Sequence, residues 1–147
     1  MDLMLAKKVA LVAGSSSGLG LAMAKELVRE GANVAICGRD STRLKEAVTS
    51  LRGLAGDEKQ VAGFIADVMR ESDIKRLVAD TAEHFGGIDI VATNAGGPPT
   101  GSFDATSAED WDTGYHLTLK SVVLLIQEAM PHLRKSDAGS VLTITSI

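Results

Sequence analysis

Residues 9 to 20 read Val-Ala-Leu-Val-Ala-Gly-Ser-Ser-Ser-Gly-Leu-Gly, and no other stretch limits the fold of this chain so strongly. Val9 to Ala13 are small or branched apolar residues without polar alternation, so the strand they predict has no wet face and belongs inside a parallel sheet. It runs straight into three glycines. Gly14 permits a sharp turn out of the strand, Gly18 lets backbone approach a phosphate with no Cβ in the way, and Gly20 lets a following helix pack close to the strand. The first N–H groups of that helix have no intrahelical partner and face an anion. Gly14, Ser16, Ser17, Gly18, Leu19 and Gly20 together form a candidate phosphate seat. The spacing is G-x-x-x-G-x-G rather than the commoner G-x-G-x-x-G, and a strand-to-helix turn with no ligand is the competing reading.

The helix after Gly20 turns Leu21, Ala24, Leu27 and Val28 inward and ends at Gly31. Asn33 to Cys37 is the second strand, which completes a βαβ unit of about thirty residues. The strand ends at Gly38-Arg39-Asp40, where the choice of nucleotide is made. An acid here would accept hydrogen bonds from a ribose 2′-OH, whereas an arginine pairs with a 2′-phosphate. Cys37 and Gly38 stand where the acid is expected and Arg39 follows, which favours NADP over NAD, although Arg39 can also be a solvated loop residue. Asp40 or Ser41 caps the next helix, and that is a better reading of Asp40 than a ribose contact.

Leu44, Ala47, Val48 and Leu51 keep helical spacing until Gly53 to Asp57 breaks it. Gln60 to Ile65 is the third strand. Asp67, just beyond it with Val68, stands at the sheet edge where ligands bind and can accept from an adenine amino group; the alternative is a plain turn or cap aspartate. Ile74, Leu77, Val78, Thr81 and Phe85 line a helix that stops at Gly86-Gly87. The fourth strand, Ile88 to Thr93, leads into Asn94-Ala95-Gly96. Asn94 has both donors and acceptor to tie strand ends together, while Ala95 and Gly96 leave room for ribose and nicotinamide.

Pro98 to Gly101 is a stiff excursion over the site. Ser107 to Asp110 resembles a capping box that opens one long helix, with Val122, Leu125, Ile126, Ala129 and Leu133 as its apolar face and Pro131 bending or fraying its last turn. Val141 to Thr145 is the fifth strand. Five strands alternating with four helices predict an α/β, doubly wound parallel sheet of the Rossmann-like kind in the order 3-2-1-4-5.

Over its whole length, residues 1–147, the chain resembles the N-terminal, NAD(P)-binding part of a classical short-chain dehydrogenase/reductase. Gly14, Gly18 and Gly20, Asp67, Asn94 to Gly96, and Thr143 to Ser146 fall in that family's order and spacing. The resemblance implies hydride transfer between NADP, or NAD, and an alcohol or carbonyl substrate by a homotetramer or homodimer. It makes Ser146 the catalytic serine, whose hydroxyl bonds the substrate oxygen as charge develops there. The family's proton donor is a Tyr with a Lys four residues on, both after the serine; only Ile147 follows here. Tyr115 does not substitute, because Leu119 stands four residues beyond it. Thr118 occupies the place of a catalytic asparagine that holds a relay water. Residues 1–147 by themselves are therefore expected to be inactive, as the cofactor half of an enzyme. The alternative is a non-catalytic nucleotide-binding or regulatory module.

Other classes are excluded more simply. A net charge of −4, with no run of Lys or Arg, argues against nucleic acid or an anionic membrane as partner. The single Cys37 lies in an apolar strand as a core hydrophobe, and His84, His116 and His132 fall on different segments, so no metal site is expected. Met1 to Lys8 opens no signal peptide or membrane span, and a cytoplasmic protein is expected.

Overall fold

In a computed structural model the described residues are 2–145. Strand β1 (Val9–Val12) is followed by α1 (Gly18–Arg29), β2 (Asn33–Gly38), α2 (Ser41–Arg52), β3 (Val61–Ile65), α3 (Glu71–Phe85) and β4 (Ile90–Thr93). Then come α4 (Ala108–Tyr115), a π-helical turn at His116–Lys120, α5 (Ser121–Leu133) and β5 (Ser140–Thr143). The sheet is parallel throughout, in the expected order β3-β2-β1-β4-β5. Winding runs from β1 to β3 on one side and resumes at β4 on the other, so the chain reverses beside β1.

Alternation along the strands gives each face its own core. Leu11, Ala35, Cys37 and Val91 pack with Ile74, Leu77 and Val78 of α3 and Leu125, Ala129 and Leu133 of α5. Val12, Val34, Ile36 and Val61 pack with Ala24 and Val28 of α1 and Leu44, Ala47 and Leu51 of α2. Each fully buried Leu or Ile contributes about 1.5–3 kcal/mol. The aromatic-poor composition suits this thin, two-sided packing.

Several boundaries differ from the sequence reading. Strand β1 ends at Val12, because Ala13 already turns toward the glycine loop while its N–H still reaches Ala92 O at 2.9 Å. Gln60 belongs to a 3₁₀ turn, Glu58–Gln60, and its amide donates to Val28 O and Ala32 O at 2.9 and 2.8 Å, closing the end of α1. Strand β4 begins at Ile90; at Asp89 a carboxylate oxygen takes the Val9 N–H at 2.7 Å. Strand β5 spans Ser140–Thr143, one residue earlier than expected at its start and two at its end. The single long helix is three pieces, because Ser121 N–H reaches back five residues to His116 O and inserts a π turn. Pro131 neither ends nor frays α5 before Leu133. Of that helix's expected apolar face Leu125, Ala129 and Leu133 are buried, while Val122 and Ile126 are half-buried.

The two edges of the sheet are unlike. Gly38 O takes the Ala66 N–H, so the even residues of β3 face β2 and Val61 and Ile65 turn their carbonyls outward. Arg52 from α2 donates to Val61 O at 3.2 Å and Arg76 from α3 to Ile65 O at 3.1 Å. On β5 all four residues are exposed.

Candidate functional site

The carboxyl ends of β1 and β4 meet at the glycine loop. Gly14 has φ +54°, and a Cβ there would lie 2.8 Å from Asn94 O, so neither its conformation nor its surroundings admit a side chain. Asn94 Nδ2 donates to Gly14 O at 3.0 Å and ties the two strand ends together. At Gly20 a Cβ would stand 2.4 Å from Gly14 O, which means that α1 starts in contact with the loop it follows. Gly18 has φ +57° and nothing within 4 Å of where its Cβ would be, so it faces open space.

Helix α1 begins without a cap of its own. Ser17, its N-cap, is extended and its side chain makes no capping bond, and the first turn holds no acid. The N–H groups of Gly18, Leu19 and Gly20 thus find no acceptor among the described residues. The other helix starts at this edge each carry an acid, and those of α2 and α4 are capped by a side chain, whereas Arg70 before α3 makes no capping bond. Asp40 caps α2 by accepting from Arg43 N–H at 2.9 Å, and that bond holds its carboxyl below the usual carboxylate range. Helix α3 carries Glu71 and Asp73 in its first turn. At α4, Ser107 Oγ accepts from Asp110 N–H at 3.1 Å while Asp110 accepts from Ser107 N–H at 3.0 Å.

Arg39 lies exposed just past β2 and forms no ion pair among the described residues. Ser16 leans over the same place, since a Cβ on Gly38 would meet its Oγ at 2.7 Å. Asp40 is the cap and not a group facing this point. Asp67 performs a local task with one oxygen, accepting from Met69 N–H at 2.9 Å, and its Oδ2 has no partner among the described residues. Its own N–H donates to Asp73 at 2.9 Å, the main reason that carboxyl is held low. Val68 packs against the α3 side of the core. Ala95 is half-buried and Gly96 is exposed with open space around it.

Thr118 sits in the π turn, where its hydroxyl donates to Gly114 O at 2.7 Å. Ser121 does the same to Leu117 O at 2.6 Å. The Thr118 oxygen retains lone pairs for water but has no proton to give. Ser146 lies outside the described residues; β5 leads toward it, with Ile144 N–H on Thr93 O at 3.0 Å. Burial pushes the Cys37 thiol up to about 11, consistent with its reading as a core residue.

Sequence reasoning missed Ser15. It is fully buried, and its hydroxyl donates to Val12 O at 2.5 Å and accepts from Cys37 N–H at 3.0 Å. A serine in a glycine loop carries no signal of burial, because the burial is made by β2. Among the described residues no group of three His, Cys, Asp or Glu is placed to hold a metal, and no helix is long and apolar enough to cross a membrane.

Comparison with known proteins adds to this geometry. A family model described as short chain dehydrogenase matches residues 8–147. The human dehydrogenase/reductase SDR family member 2, mitochondrial, is 37% identical over 144 residues, 97% of this chain and 50% of that protein. L-Sorbose reductase from Gluconobacter frateurii, solved with NADPH and L-sorbose, is 32% identical with a TM-score of 0.94, over 100% of this chain and 55% of that one. The NADH-dependent reductase A1-R′, solved with NAD, is 32% identical with a TM-score of 0.90, over 100% of this chain and 62% of that one. The chain spans about half the length of the curated relatives it matches.

Proposed function

This chain belongs to the short-chain dehydrogenase family, and from that premise we propose that it is the NADP-binding part of an oxidoreductase acting on an alcohol or carbonyl substrate. The observation that carries the reading is the uncapped start of α1, set against a glycine loop that Asn94 fastens to β4. A diphosphate fits there, since the N–H groups of Gly18, Leu19 and Gly20 can each donate to it and Gly18 leaves the approach clear. Arg39 offers a bidentate partner to a 2′-phosphate, and no acid stands at Cys37 or Gly38 to repel one. Neighbours solved with NADPH and with NAD have the same fold, so the preference rests on Arg39 and not on architecture.

The remaining groups have assigned tasks. Asp67 Oδ2 accepts from an adenine amino group, and Ala95 and Gly96 leave space for ribose and nicotinamide. Ser146 donates to the substrate oxygen as it gains negative charge. Thr118 accepts a hydrogen bond from a relay water. When bound, the nicotinamide supplies or takes the hydride. The whole enzyme assembles as a homodimer or homotetramer, a reading supported by Trp111, Tyr115, Leu119 and Val123, exposed at four-residue steps along α4 to α5. It works in the cytoplasm. A non-catalytic nucleotide-binding module is the second reading, favoured by the proton that Thr118 has already committed to Gly114 O.

Calorimetric titration tests the proposal. NADP+ should bind at least about ten-fold more tightly than NAD+, and Arg39→Asp should reverse that order. Equal affinities would sink the NADP assignment, and uptake of neither nucleotide would sink the reading. Residues 1–147 alone should turn over no alcohol or ketone, because Tyr-x-x-x-Lys is not among them.

A further inference from the structure

The ladder between β1 and β2 runs from Val9↔Asn33 to Val12↔Ile36 and there β1 ends. One more connection follows, made by the loop. Ser15 N–H donates to Cys37 O at 3.1 Å, and Cys37 N–H donates back to Ser15 Oγ at 3.0 Å. The same hydroxyl gives its proton to Val12 O at 2.5 Å, so its hydrogen and a lone pair are both engaged in a site closed to solvent. Two residues beyond Cys37 stands Arg39. Two residues before Ser15 the loop leaves β1, and two after it α1 is about to begin.

We infer that Ser15 is a positioning residue that clasps the glycine loop to the end of β2, so that the open start of α1 and the Arg39 cation keep a fixed separation. A ligand with phosphate at both places is then gripped at two points already set to its span, and no binding free energy goes into arranging them. This rests on the nucleotide-binding reading above. Alanine at this place keeps the loop's volume but leaves the buried Cys37 N–H without an acceptor, so that only the Ser15 N–H to Cys37 O bond still joins the loop to the β2 end and the clasp is loosened.

The test compares Ser15→Ala with the parent chain by titration at a temperature where both are folded. The dissociation constant for NADP+ should rise about ten-fold and that for NAD+ about three-fold, so that the ratio between them falls. A purely structural serine would lower the melting temperature and leave that ratio alone. Constants within two-fold of the parent for both nucleotides overturn the inference and leave the nucleotide reading standing. A parent that binds neither overturns that reading, and the inference with it. Should the variant fail to fold, hydrogen exchange in the parent decides: saturating NADP+ should slow the Ser15 and Cys37 amides at least about ten-fold, and unchanged rates overturn the clasp.

Discussion

Helices α1 and α2 begin at the same edge of the sheet, one after β1 and the other after β2, yet they treat their first N–H groups in opposite ways. Helix α2 brings its own anion, the Asp40 carboxylate on Arg43 N–H. Helix α1 brings none, although Ser17 stands where a cap belongs. A helix start that leaves its donors unmatched forgoes about 1 kcal/mol of stability, and it is here that the glycines crowd most closely. The difference separates a start that completes the fold from one left open, which the proposed nucleotide would complete.

The strongest way to break the contrast is to move α1. Gly20→Ala places a Cβ against Gly14 O, with no flexible side chain to give way, and should lower affinity for either nucleotide by more than about 100-fold while destabilising the chain by about 3 kcal/mol. Thermal unfolding beside a titration checks both, and a variant that binds like the parent would mean that the loop has room the geometry denies.

A smaller effect comes from making α1 resemble α2. Ser17→Asp puts a carboxylate on the open donors, which should weaken NADP+ about 30-fold and yet raise the melting temperature by a few degrees. Those opposite signs are the point, since a merely damaged protein would lose both affinity and stability.

The smallest effect comes at α2. Asp40→Ala should lower the melting temperature by roughly 3 °C with nucleotide affinity unchanged within about two-fold. Because the Asp40 carboxyl titrates below its ordinary value of about 3.9 in the folded chain, the cap contributes fully above that pH and is lost as pH falls through the lowered value. Asp40→Asn, which caps without titrating, should therefore shrink the stability difference between pH 7 and pH 3. An Asn variant with the parent's acid sensitivity would place that sensitivity elsewhere.

How far this was legible in the sequence depended on distance along the chain. The βαβ unit, the glycine spacing and Asn94 were readable, because an apolar run and a short fixed interval are local patterns that only a few backbone paths satisfy. Asp40 and Ser41 are adjacent and both able to cap, so the choice between them waited on the turn geometry after Gly38. The π turn at 116–120 is set by a single amide reaching one carbonyl further, with Thr118 and Ser121 sealing the neighbouring carbonyls, and no residue type announces that. Ser15 was hidden for a related reason. Its partner is 22 residues away, on a strand whose register only the folded sheet defines.

The arginines that α2 and α3 lay against β3 guard that edge of the sheet. Arg52 and Arg76 occupy the outward carbonyls of Val61 and Ile65, so a strand arriving at that edge would have to strip off two charged donors before its first backbone bond. At β5 an arriving strand meets a ladder rail with four exposed residues and no such guard among the described residues. Among the described residues the two edges therefore differ in what an arriving strand would meet first, charged side-chain donors at β3 and none at β5.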